Sequence, residues 1–173
     1  MEALRVGYGD TFLVNGAAGG VGTIAVQLAR AVGATVVGTA SEANHAYLRQ
    51  LGAIPVVDGD GLVERVRRLA PQGVDAALDA ASADGLGPRA AVEVVRDKDR
   101  VGTLAAVEAY ERLGARWIAS RRSAERLEAL VALWSRGALR VHVRATWSLE
   151  DAAAAHRDVE SGHGCGKVVL LVD

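Results

Sequence analysis

The chain is poor in several residue types: 173 residues contain one cysteine, one methionine, one phenylalanine and three prolines, and aromatic residues make up only 4%. A single thiol, Cys165, excludes an internal disulfide and any zinc site built from several cysteines. It sits in a flexible loop sequence, Gly164-Cys165-Gly166, and no chemical role is expected of it. The four histidines, His45, His142, His156 and His163, show no metal-ligand spacing, and no metal is expected. Charge of one sign is also lacking, since 20 Lys+Arg oppose 21 Asp+Glu. The pairs Arg67-Arg68 and Arg121-Arg122 read as solvated helix surface, which leaves no electrostatic case for nucleic acid. No apolar run reaches the roughly 18 residues of a membrane span, and no charged-then-apolar leader pattern opens the chain. A cytoplasmic protein is expected. With half of its residues apolar, the chain is long enough for one core and too short for two full domains.

Glycine is plentiful, at 20 residues, and its placement is informative. Residues 11–15 form a short apolar strand, residues 16–22 (GAAGGVG) a glycine-rich turn, and residues 23–30 an amphipathic helix, in immediate succession. A pyrophosphate must approach the backbone closely and meet the unpaired N–H groups of a helix N-terminus, so this order suits a dinucleotide. Counting back from Gly22 puts the three fingerprint positions of G-x-G-x-x-G on Ala17, Gly19 and Gly22, with alanine in the first. A second strand follows at 34–39, after Gly33 as the helix C-cap. In an NAD-selective site an acid closes this strand and binds the ribose hydroxyls. Here the strand ends Thr39-Ala40-Ser41, and the nearest acid, Glu42, opens the next helix. Nothing there repels a 2′-phosphate, and Ser41 with Asn44 can donate hydrogen bonds to one, so the expected cofactor is NADP. A purely capping role for Ser41 is the alternative.

The alternation continues. Strands are expected at 54–57, 74–79, 100–105 and 115–119, with helices at 62–70 and about 88–96 between them. Strand after helix after strand implies a parallel sheet, and six strands in this rhythm predict an α/β fold, a doubly wound Rossmann sheet in three α/β/α layers with order 3-2-1-4-5-6. The carboxyl ends of the strands then gather residues 16–22, 39–41, 80–82 and 103–105 along one rim. Asp79, flanked by small apolar residues, is expected to bond loop backbone. A helix over 124–134 places Leu127, Leu130, Val131 and Trp134 at helical spacing, which reads as core.

These segments resemble the medium-chain dehydrogenase/reductase superfamily, in its zinc-independent, quinone-oxidoreductase-like branch. The resemblance rests on GAAGGVG at 16–22, AVQLAR at 25–30 with Gly33-Ala34, LGA at 51–53, VDAALD at 74–79 and GKVVL at 166–170. The tail from Trp147 through His156, Ser161 and His163 to Lys167 also matches, so it covers essentially the whole chain. It implies hydride transfer from NADPH to a quinone, an enone or another activated carbonyl compound. It also implies pyrophosphate contacts from Ala18, Gly19, Gly20 and Val21, a 2′-phosphate loop over 39–44 with Thr39, Ser41 and Asn44, and Thr103, Leu104 and Ala105 beside the nicotinamide. Two positions depart from the branch, which often carries lysine where Asn44 stands and tyrosine where Gly59 stands. Phosphate recognition then rests on Ser41 and Asn44, with Arg49 or His45 as further candidates.

The resemblance further implies a dinucleotide-binding domain over 1–139 and a segment, 140–173, that in the family returns to a GroES-like catalytic domain. That domain is absent from the sequence, which opens just upstream of the first strand. Strands at 140–143 and 167–172 therefore need another partner: each other, the cofactor sheet, or an associating chain. Three readings follow: a piece of a larger reductase, an enzyme completed by a second subunit, or a non-catalytic dinucleotide-binding module. Catalytic residues are not assigned. A homodimer is expected through the sheet edge near Trp117, with Trp117 either at that interface or in a core under the 124–134 helix.

Overall fold

A computed structural model describes residues 1–81, 86–104, 111–162 and 164–172. Strands β1 (Thr11–Asn15), β2 (Thr35–Thr39), β3 (Ile54–Val56), β4 (Ala76–Asp79), β5 (Val101–Thr103) and β6 (Arg116–Trp117) form one sheet in the order β3-β2-β1-β4-β5-β6. Every neighbouring pair is parallel. This is the doubly wound order expected from the alternation of apolar strands and amphipathic helices.

Strand side chains alternate between faces, and the alternation builds two cores. Phe12, Val14, Val36, Ala76 and Leu78 pack on one face with Ala25, Val26 and Ala29 of α1 (Gly22–Ala31) and Leu48 of α2 (His45–Gln50). Leu13, Val37, Val56, Ala77 and Val101 pack on the other with Leu62 and Val66 of α3 (Leu62–Leu69) and Ala90, Ala91 and Val94 of α4 (Leu86–Val94). The result is three layers. Phe12, Leu13 and Val14 are almost wholly buried, and burial of each such side chain stabilises by about 1.5–3 kcal/mol.

Several boundaries differ from those read in the sequence. Val74 makes an isolated parallel bridge with Val95, and β4 proper begins at Ala76. The turn Lys98–Arg100 precedes β5, capped by the Asp97 carboxylate, which accepts from Asp99 N at 3.0 Å. Arg121 and Arg122 lie outside any helix. The larger correction concerns α5 (Ala124–Ser135), which has no buried residue. Leu127, Val131 and Trp134 are 63%, 51% and 59% exposed, so they are not core. Helical spacing identifies an apolar face but not what covers it, and α5 follows the last strand of the six-stranded sheet, where none of the described elements buries that face. Trp117 is also exposed, at the sheet edge rather than in a core.

The C-terminal segment forms a unit of its own: β7 (Val143–Ser148), α6 (Ala152–Glu160) and β8 (Lys167–Leu171), with the two strands paired in parallel. Of the three partners open to these strands, each takes the other. β7 starts at Val143 and not at 140 because Gln27 holds the Arg140 backbone on both sides. Its Nε2 donates to Arg140 O at 2.9 Å, and Arg140 N donates to its Oε1 at 2.8 Å. Among the described residues, no helix is long and apolar enough to cross a membrane.

Asp10 and Arg100 tie the N-terminal turn to the sheet. Arg100 Nη2 lies 2.6 Å from the Asp10 carboxylate, and Arg100 also donates to the carbonyls of Leu4 and Arg5. Burial pushes the Asp10 carboxyl up, but the Arg100 guanidinium and the Gly7 N–H together hold it below its ordinary value. A carboxylate depressed by folding contributes stability above its unfolded pKa and loses it as the pH falls through the folded one. The chain should therefore lose stability below about pH 4. In circular-dichroism melts, Asp10→Asn should lower the midpoint at neutral pH and flatten the acid-side fall.

Candidate functional site

Four strands end on polar residues, and the fold places those residues in a buried row. Thr39 Oγ1 donates to Asn15 Oδ1 at 2.6 Å, Asn15 Nδ2 donates to Asp79 Oδ1 at 2.8 Å, and Thr103 Oγ1 donates to Asp79 Oδ2 at 2.8 Å. All four side chains are buried. Buried polar groups persist when they are hydrogen-bonded, and here the partners are one another. Asp79, expected to bond loop backbone, has side-chain partners on β1 and β5. Backbone bonds extend the row outward: Gly16 N donates to Thr39 Oγ1 at 3.0 Å, Ala17 N to Thr39 O at 2.9 Å and Leu104 N to Asp79 O at 3.0 Å.

The row fixes where the glycine-rich turn begins, and close packing fixes where it ends. A Cβ on Gly22 would collide with Gly16 O and come 2.7 Å from Ala17 Cα. Only glycine lets α1 start so near the turn. Alanine is accommodated at the first fingerprint position because β2 carries Gly38 opposite it: a Cβ there would lie 2.7 Å from the Ala17 methyl. Gly19 differs, since its added Cβ would meet only Gly16 O, at 3.3 Å. Among the described residues, no acceptor takes the N–H groups of Ala18, Gly20, Val21 or Gly22. They stand at the N-terminal end of α1, where the helix carries partial positive charge. Free donors, positive potential and no bulky side chain fit a pyrophosphate.

At the end of β2, Ser41 occupies the cap position of the turn Glu42–Asn44, yet its side chain makes no capping bond. Its Oγ accepts instead from Asn44 Nδ2 at 3.2 Å. With no backbone N–H donating to its Oγ, Ser41 has no capping bond, which argues against a purely capping role. His45 Nε2 lies 3.2 Å from Ala40 O, and Gly59 faces open space. Arg65, which belongs to no motif in the sequence, donates to the carbonyls of Val57, Asp58, Gly59 and Asp60 and so shapes the loop after β3. Its role has no sequence signal because it depends on a loop folding back over α3.

Thr39 and Thr103 are buried framework residues, so what they offer the rim surface is backbone position. Leu104 is partly exposed and lines an apolar cavity of about 210 Å³ with Val21, Ile24, Leu78 and Ile118. Ala105, Ser82 and His163 lie outside the described residues. Cys165, read as part of a flexible loop, packs against the α1-side core.

Sheet order and rim define the class: a dinucleotide-binding domain of the Rossmann type. The profile of a family described as zinc-binding dehydrogenase matches residues 51–170. The chain belongs to that family, within the medium-chain dehydrogenase/reductase superfamily, and has the fold of that superfamily's cofactor-binding domain. It is 35% identical over 184 residues to the spectinabilin polyketide synthase system protein NorB of Streptomyces orinoci, covering 95% of this chain and 8% of that protein. Among solved structures it resembles the quinone oxidoreductase from Coxiella burnetii, with a TM-score of 0.79 and 28% identity over 99% of this chain and 55% of the other. It also resembles mycobacterial Rv1454c complexed with NADPH, with a TM-score of 0.78 and 26% identity over 97% and 59%. The chain thus spans little more than half of those solved chains and under a tenth of the polyketide synthase protein. The family description names zinc, but among the described residues no three His, Cys, Asp or Glu side chains form a metal-binding group.

Replacing Asn15 by alanine removes a partner from both Thr39 and Asp79 in the buried row. Asn15→Ala should destabilise the chain by about 1–3 kcal/mol in urea titrations.

Proposed function

We propose that this chain binds NADP(H) and serves hydride transfer to a quinone, an enone or another activated carbonyl acceptor, as the cofactor domain of a quinone-oxidoreductase-like reductase. The observation that carries this reading is the run of unengaged N–H groups at Ala18, Gly20, Val21 and Gly22, in a turn fixed at both ends. Preference for the 2′-phosphate is supported by the close of β2, where Ser41 and Asn44 stand in place of an acid, and by the NADPH of the mycobacterial neighbour. The acceptor class is supported by the likeness to a quinone oxidoreductase.

The nicotinamide supplies the hydride, and the chain binds, orients and shields it. Ala17, Ala18, Gly19, Gly20, Val21 and Gly22 hold the pyrophosphate; Thr39, Ser41 and Asn44 form the phosphate loop; Thr103, Leu104 and Ala105 form the nicotinamide side. In this reading residues 1–139 are the cofactor domain and 140–173 the segment that joins a catalytic domain. The substrate cleft's second wall comes from that domain or from a second copy of the chain. The exposed edge at Trp117 and the uncovered face of α5 support a homodimer.

Fluorescence titration of the purified chain tests the cofactor. NADPH should bind at least tenfold more tightly than NADH, a difference of about 1.4 kcal/mol. Ser41→Asp should erase the preference by placing a negative charge against the 2′-phosphate. Gly19→Val should abolish binding of both nucleotides, since its side chain would occupy the space of the phosphates; an added Cβ also stands 3.3 Å from Gly16 O, so a thermal melt should accompany the titration to show that the variant is folded. Comparable wild-type binding of NADH would overturn the NADP assignment. Light scattering at high concentration tests the assembly: a dimer mass is expected, and a strict monomer would remove the edge-strand interface.

A further inference from the structure

The loop before β8 lies directly on the glycine-rich turn, far away in sequence. Gly166 N donates to Ala18 O at 3.0 Å, and Lys167 N donates to His142 O at 2.7 Å. The Lys167 side chain then runs across Gly20. A Cβ added to Gly20 would stand 2.7 Å from Lys167 Nζ, 3.0 Å from Cε and 3.1 Å from Cδ. The missing side chain at position 20 is what gives the lysine its path. Lys167 is exposed, and no carboxylate among the described residues pairs with it.

The turn itself, residues 16–22, contains no cation. A helix N-terminus offers only about half a positive charge, whereas a dinucleotide pyrophosphate is a dianion. We propose that Lys167 is a ligand of the cofactor's pyrophosphate, so that the β7–α6–β8 unit completes the dinucleotide site from outside the Rossmann sheet. The inference rests on the cofactor reading above and adds a residue and an element to it. An ammonium on a flexible stem carries three donors and can adjust to either phosphate. The unit that carries it is held by the Gly166–Ala18 bond on the turn and by the Gln27–Arg140 pair on α1. Cofactor affinity therefore depends on a segment that contributes nothing to the six-stranded sheet.

The test is a fluorescence titration of the full chain with NADPH and with NADH, comparing wild type, Lys167→Gln and Lys167→Arg, with a thermal melt of each. Lys167→Gln should weaken both nucleotides by the same factor, roughly tenfold, because both carry the pyrophosphate. Its affinity should also fall less steeply with added salt than that of wild type. Lys167→Arg should retain binding within a few-fold, and all three melts should coincide. Ser41→Asp is the contrasting variant, since it should weaken NADPH without weakening NADH. Wild-type affinity in Lys167→Gln for both nucleotides would overturn the role of Lys167 and leave the cofactor reading standing. Absence of binding by wild type itself would overturn the cofactor reading and this inference with it.

Discussion

The rim of this domain depends on one buried row of hydrogen bonds, from Thr39 through Asn15 and Asp79 to Thr103, that runs across the carboxyl ends of β2, β1, β4 and β5. Each member would be costly to bury alone. Together they satisfy one another and set four strand ends in register. Strand ends elsewhere in a parallel sheet diverge into loops, but here the backbone leaving β1 and β5 is tied to the same row through Gly16 and Leu104. A flexible glycine-rich sequence thereby becomes a turn of defined shape, and a defined shape is what allows free N–H groups to bind a ligand without first being ordered.

The exit of that turn is set by contact rather than by polarity. Gly22 brings α1 against Gly16 and Ala17, and Gly38 leaves the space that the Ala17 methyl fills. The alanine in the fingerprint is thus a packing exchange between the turn and β2, with the missing side chain moved from position 17 to position 38. The small residues Ala25 and Ala29 continue the same close approach along α1. Apolar burial holds the helix to the sheet, while its N-terminus keeps its donors.

The C-terminal unit stands in a different relation to the domain. It adds no strand to the main sheet, and Val143, Leu171 and Val172 stay exposed on it. Its links to the rest include the bonds of Gln27 to the Arg140 backbone, the Gly166–Ala18 bond, the tilted ring contact of Tyr47 with His142, whose centroids lie 5.0 Å apart, and Cys165 packed against the α1-side core. Polar links of this kind fix orientation more than they add stability. Among the described residues, Trp117 of β6 and Leu127, Val131 and Trp134 of α5 are exposed as well.

Local chemistry accounts for what was legible in the sequence. Alternating strands and amphipathic helices are periodic signals carried by each segment alone, so the six strands, their order and the glycine-rich turn all follow from residues 11–117. The end of β2 was equally readable, because an acid is either there or not. Long-range geometry accounts for the rest. Leu127, Val131 and Trp134 have the spacing of a core face, but burial requires a partner that the helix does not describe. Asp79 has no sequence signal for its bonds to Asn15 and Thr103, since those residues meet only when three strands align. Nothing in the sequence pairs Arg65 with the loop after β3 or Lys167 with Gly20, because each meeting depends on a loop arriving from elsewhere in the fold. The sequence by itself determined the class of fold and the backbone of the turn, because both depend on side-chain size and periodicity over a few residues. Only the tertiary structure decided which polar groups meet at the rim and which apolar faces stay open, because those depend on segments distant in the chain arriving at the same place.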